Sequence, residues 1–90
     1  MRNVNRDVDF MILQIIEGES GDKVNAIGDH GKARGIVQYW KSTFYRHAKQ
    51  QELPNAEYLN PQHQVTLLRG CLVKWGCAKE WSTYRRLFIY

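Results

Sequence analysis

The sequence predicts one small, mainly α domain, residues 1–90, with a Gly-rich loop or short β-hairpin beside its first helix. Three observations carry that expectation. Val8, Met11, Ile12, Ile15 and Ile16 recur at the i, i+3, i+4, i+7, i+8 spacing of one helix face. Four glycines then fall within the fifteen positions from Gly21 to Gly35, too many for a helix interior. Further on, Asn60-Pro61 is a helix start with Asn as cap and Pro at the first helical position. Val65, Leu68, Leu72 and Trp75 follow it at helical spacing.

Composition narrows the function classes. At 43% hydrophobic and 24% charged residues, the chain belongs with globular proteins and not with disordered ones. Thirteen Lys and Arg against nine Asp and Glu leave a net charge of +4. The cations are scattered, densest at Arg85-Arg86 and between Arg46 and Lys49, and read as solvated surface. No helix start gathers Arg, Asn and Gln on a basic face, so nucleic acid is not an expected partner. No apolar run has the length of a membrane span.

The first helix is expected from about Asp7 to Glu19, capped by Asn5 or Asp7. Its apolar stripe, continued by one turn, arrives at Glu19, while Glu17 lies half a turn away on the solvent side. Gly21 permits the helix to stop there. A carboxyl group on an apolar stripe loses solvation, which favours its protonated form. A glycosidase uses such a group to protonate a leaving-group oxygen. On periodicity alone the plainer reading is favoured, a helix-end glutamate turned into water.

Gly28-Asp29-His30-Gly31 centres the expected hairpin or turn. Gly31-Lys32 lacks the upstream Gly and the following Ser or Thr of a phosphate loop. Ile36-Val37 is expected to be extended and buried. Ser42 or Thr43 can start a second helix through about Gln50, with Phe44 and Ala48 on one face. The third helix carries Val65, Leu68, Leu72 and Trp75 inward and stops near Gly76; a last short helix or turn spans Ala78 to Arg86. Leu87-Phe88-Ile89-Tyr90 is an apolar tail that must dock, pair with a partner or mark a truncation. Cys71 and Cys77 stand six apart, on different faces of a continuous helix, so reduced or dispensable thiols are expected. A break at Gly76 is the one route to a disulfide. A zinc site from these cysteines with His30, His47 or His63 shows none of the usual paired-ligand spacings.

The loop brings a resemblance. Glu19-Ser20-Gly21, then Asn25-Ala26, then Gly31 to Gly35 and Gly35-Ile36-Val37-Gln38 resemble, in order, the lytic transglycosylase pattern. In that family a helix ends in E-S-G, an N-A dipeptide follows, and a G-L-M-Q-like run leads into the next helix. Gln38-Tyr39-Trp40-Lys41-Ser42-Thr43-Phe44 is similar to the corresponding run of the related resuscitation-promoting factors. Trp81-Ser82-Thr83-Tyr84 is similar to the W-x-x-C or W-x-x-Y ending of such lysozyme-like domains. The family's late A-Y-N motif is absent, and Tyr84 is its nearest substitute.

The resemblance implies a lysozyme-like helical fold and an enzyme that cleaves peptidoglycan glycan strands. The bond would be the β-1,4 link between N-acetylmuramic acid and N-acetylglucosamine. It implies Glu19 as the catalytic general acid and base, with Ser20, Gln38, Tyr39, Trp81 and Tyr84 at the substrate. It implies no metal and no organic cofactor. A hydrolytic outcome would need a second carboxylate to activate water, for which Asp22 and Asp29 are the loop candidates. Such a substrate implies an extracytoplasmic location, the periplasm, the cell wall or outside the cell. Met1 to Asp9 has no apolar signal region. Either a leader has been removed, or the domain serves a larger exported or phage-encoded assembly. The rival reading is an inert basic helical module that binds wall glycan, nucleic acid or a protein partner.

Overall fold

The computed structural model describes residues 4–89, with side chains from Asp7 onward. Its order is α1 (Val4–Ser20), β1 (Ile27–Gly28), a 3₁₀ turn (Asp29–Gly31), β2 (Ala33–Arg34), β3 (Tyr39–Trp40), α2 (Lys41–Gln50) and α3 (Pro61–Gly70). A π-helical turn (Cys71–Trp75), a 3₁₀ turn (Cys77–Glu80) and α4 (Ser82–Phe88) complete it. The fold is mainly α, with one small antiparallel sheet in the order β1-β2-β3. Ile27 pairs with Arg34 and Gly28 with Ala33, and then Ala33 pairs with Trp40 and Arg34 with Tyr39.

The stripe on α1 behaves as its spacing requires. Val8, Ile12, Ile15 and Ile16 are buried, Met11 is half-buried and Glu17 is exposed. Phe44 and Ala48 bring α2 to the same core, and Leu67 and Leu68 bring α3. The α3 start is as expected: the Asn60 side chain accepts a hydrogen bond from the His63 N–H at 3.1 Å, behind Pro61. A cap of this kind is worth about 1 kcal/mol. Helix α2 starts at Lys41, and neither Ser42 nor Thr43 caps it; Trp40 holds the cap position, and its side chain makes no capping hydrogen bond.

Ile36-Val37 is not a strand. Gly35 to Gln38 form a turn closed by the Gln38 N–H on the Gly35 carbonyl at 3.2 Å, and the strand begins at Tyr39. Val37 is enclosed and Ile36 half-buried, so the expected burial holds for Val37 and the expected extended backbone does not. The turn leans on Gln64, a fully buried amide of α3. Gln64 Oε1 accepts from the Val37 N–H at 3.1 Å, and Nε2 donates to the carbonyls of Arg34 at 3.1 Å and Tyr58 at 2.8 Å. One side chain thereby pairs three backbone groups that no ladder reaches.

The two cysteines are bridged, and the expectation of reduced thiols is overturned. Cys71 and Cys77 form a disulfide with Cα atoms 4.6 Å apart. The helical separation argument fails because the helix does not continue. It widens into the π turn, and Gly76, at φ 71°, takes a left-handed conformation that folds Cys77 back onto Cys71. The same turn rotates Trp75 out of the inward stripe, leaving it 37% exposed where an inward position was expected. His47, Cys71 and Cys77 offer ligand atoms within 4.8 Å of one another, but both sulfurs are bonded to each other and no thiolate is free. Closing so short a loop stabilises the chain by about 2 kcal/mol on the loop-entropy model. Reduction should therefore lower the melting temperature by roughly 10 °C for a domain of this size. Differential scanning fluorimetry with and without a phosphine reductant measures it, and an unchanged melting point would make the bridge idle.

The last segment splits where one helix was expected, into the 3₁₀ turn and α4. Helix α4 packs against α1, with Leu87 and Phe88 half-buried and Ile89 exposed; Tyr90 lies outside the described residues. The approach is possible because position 18 is glycine. A Cβ there would collide with the Thr83 side chain, which is buried.

Candidate active site

A cleft of about 600 Å³ runs between the end of α1, the sheet, α2 and the segment around Trp81. Helix α1 delivers Glu19 to its lip. The side chain is half-buried, in phase with the buried stripe. Among the described residues no Lys, Arg or His forms an ion pair with it. Its neighbour is Ser82, whose hydroxyl donates to Glu19 Oε1 at 3.4 Å.

Of the other residues expected at the substrate, Gln38, Tyr39 and Trp81 line this cleft; Ser20 and Tyr84 do not. The Ser20 hydroxyl donates to the Ile16 carbonyl at 3.1 Å, a bond back along its own helix. The Gln38 amide nitrogen donates to the carbonyls of Ala26 and Gly35, both at 3.0 Å, tying the loop after α1 to the turn before β3. Gln38 also has φ 57°, a left-handed conformation that non-glycine residues seldom adopt. Tyr39 and Trp81 are 2% and 5% exposed and pack edge to face at 5.1 Å, forming the floor. The Trp81 indole donates to the Val37 carbonyl at 2.8 Å. Tyr84 is half-buried beside Phe88.

The open ring is that of Trp40. It is 43% exposed at the cleft edge, and its indole N–H donates to Asp29 Oδ2 at 3.0 Å. An accessible ring with its polar end already paired can stack on the C–H face of a sugar. Asp29 lines the cleft and Asp22 does not.

Two residues of the cleft have no expected place at the substrate, His47 entering the sequence reading only as a possible zinc ligand. His47, fully buried in α2, and Glu80, at the end of the 3₁₀ turn, lie at its back. Glu80 Oε1 accepts from Arg46 at 2.6 Å, and Oε2 contacts His47 Nε2 at 3.2 Å. Behind it the Tyr39 hydroxyl lies 2.7 Å from His47 Nδ1. Burial lifts the Tyr39 phenol far above its usual range, and the Glu80 charge adds to this, so Tyr39 keeps its proton. Burial also lowers the His47 imidazole, outweighing the Glu80 hydrogen bond and charge that raise it. The consistent assignment is therefore a neutral imidazole. Tyr39 donates to Nδ1, and Nε2–H donates to Glu80 in a hydrogen bond, not an ion pair. Partial burial alone would raise the Glu80 carboxyl. The hydrogen bonds from Arg46 and His47 prevail and hold it below its usual range, so it remains a carboxylate.

Comparison with curated proteins and with solved structures finds no match. The family model described as the transglycosylase SLT domain matches residues 3–72, which run through α1, the sheet, α2 and α3. The matched stretch contains Glu19 and the Gly35-to-Gln38 turn and ends before Glu80. With well over half of its length matched, this chain belongs to the transglycosylase SLT family.

Proposed function

We propose that the protein cleaves peptidoglycan glycan strands at the β-1,4 bond between N-acetylmuramic acid and N-acetylglucosamine, with Glu19 as general acid. The observation that carries this is the position of Glu19. It stands at the lip of an open cleft, without a cationic partner among the described residues, on the family's E-S-G motif. A carboxyl there can give its proton to the bridging oxygen as the C1–O bond breaks. Trp40 offers the ring for a sugar face, and Tyr39 and Trp81 give the cleft a rigid floor. Gln38 shapes the wall by holding two loops together. In this reading Ser82 is the orienting hydroxyl.

The substrate implies work outside the cytoplasm. No described helix is long and apolar enough to cross a membrane. Purified protein incubated with peptidoglycan sacculi should release soluble muropeptides, read by liquid chromatography and mass spectrometry. A folded wild type that releases none from several wall chemotypes sinks the proposal and favours an inert glycan-binding module.

A further inference from the structure

We infer that a cationic pocket beside the cleft, lined by Lys32, Arg34 and Lys41, takes the carboxylates of the short acidic peptide that muramic acid carries on its lactyl group. The inference rests on the proposed glycan substrate and deepens it, adding the peptide to what the protein reads.

The pocket has a volume of about 390 Å³ and lies between the turn before β2, the start of α2 and the chain ahead of α3. Trp40 lines both this pocket and the cleft, so the two share a wall. A sugar stacked on that ring has the pocket within reach of its substituents.

The charge in it is of one sign. Lys32, Arg34 and Lys41 line the pocket and are exposed, and among the described residues no Asp or Glu lines it. None of the three cations forms an ion pair among the described residues. Asp29, three residues before Lys32, lines the cleft instead, where it accepts from the Trp40 indole N–H at 3.0 Å.

The cations are held facing the shared wall. Lys32 Nζ stands 5.2 Å from the centre of the Trp40 ring. Arg34 Nε donates to the Gly31 carbonyl at 2.9 Å, which fixes the guanidinium and leaves its terminal N–H groups for a carboxylate. Lys41 occupies the first turn of α2, where a cation works against the helix dipole, so its charge does nothing for the helix. Burial raises the Tyr58 phenol above its usual range and the Arg34 charge opposes this, which sets the guanidinium close to Tyr58. The Tyr58 hydroxyl is engaged by the Tyr39 carbonyl at 2.6 Å. Its ring and the 62% exposed Leu59 therefore give the pocket an apolar side.

This combination selects its ligand. Muramic acid differs from glucosamine by a lactyl ether whose carboxyl bears a peptide of alanine methyls and free carboxylates. The methyls suit Tyr58 and Leu59, and the carboxylates suit the three cations. Glycan chemistry thus places the matching anion one substituent away from a ring stacked on Trp40.

The test is a titration of ¹⁵N-labelled protein, read at the Trp40 indole signal. The probe is the disaccharide peptide with muramic acid at its reducing end, which lacks the scissile bond, compared with the same molecule after amidation of its carboxyls. Exposed ion pairs are individually weak, so three together should make the free acid bind about tenfold tighter than the amide. Raising the salt should shrink that preference. Lys32→Glu/Lys41→Glu should abolish or invert it, and Lys41→Glu suits the first turn of α2. Should the double variant not fold, Arg34→Gln decides, since it keeps the β2 backbone pairing and should lower the preference part of the way. Equal affinity of wild type for both forms, or no binding of either, overturns the inference. So does a wild-type preference in either folded variant. Tighter binding of glycerol phosphate oligomers than of the free acid also overturns it and assigns the pocket to a phosphate polymer of the wall. Inertness on sacculi bears on the glycosidase reading alone, and a preference that persists there keeps the pocket.

Discussion

Glu19→Gln should abolish release of muropeptides while leaving the fold intact. Gln has nearly the same size and can still accept the Ser82 hydroxyl, so the end of α1 should hold its shape. It has no proton to give at useful acidity. General acid catalysis is commonly worth about 10²–10⁴ in rate, and the loss should fall in that range. Glu17→Gln is the control, because Glu17 sits on the exposed side of the same helix and touches no part of the cleft. Turnover on sacculi, with melting temperatures for both variants, settles the point. If Glu17→Gln were the inactive variant, the phase of α1 would be wrong; if Glu19→Gln kept its activity, the general acid would lie elsewhere.

Gly35→Ala should be the most damaging single methyl in the protein. Gly35 has φ +90°, a conformation that strains any L side chain. A Cβ there would also stand 2.5 Å from both amide heteroatoms of Gln64. Gln64 is fully buried and cannot swing into solvent. Its displacement would unpair Val37 N–H and the carbonyls of Arg34 and Tyr58. Each buried group left unsatisfied costs about 1–3 kcal/mol, and the strain adds about 1–3 more. Domains of this length have roughly 5–13 kcal/mol in total, so the variant should be largely unfolded at 37 °C. Urea titration by circular dichroism measures the loss. Gln64→Ala alone should also destabilise, but the double variant should fall well short of the summed losses, because the clash disappears with the amide. A Gly35→Ala protein within 1 kcal/mol of wild type would mean that the turn adapts.

These two positions show what was legible in the sequence. Gly35 and Glu19 belong to one motif; periodicity placed Glu19, but nothing in the sequence revealed that Gly35 exists to admit Gln64. The stripe from Val8 to Ile16 and the Asn60 cap were readable because they are local, set by a helical repeat and a single side-chain bond. His47 was not. It sits in R-H-A-K, a stretch that reads as solvated surface, and only the tertiary approach of Tyr39 and Glu80 gives it a reason to be buried. Glu80 escaped notice for a related reason. A 3₁₀ turn followed by one extended residue has no period to detect, so its direction is decided by where Trp81 finds its pocket. The misplacement of Trp75 and the misjudged cysteines share one cause, the π turn, which breaks the register that every inference about that face had assumed.

The disulfide also imposes an order of events. It anchors the turn that ends in Glu80 to the end of α3, so it sits at the root of the cleft's second wall. Thiols stay reduced in most cytoplasms and oxidise outside them. With the thiols reduced, the wall bearing Glu80 is held by its contacts with Arg46 and His47 and by the packing of α4. When a two-electron oxidant takes two electrons and two protons from the thiols, the bond closes and that wall becomes covalently fixed. The rigidity of one side of the cleft is thereby tied to the redox state of its surroundings.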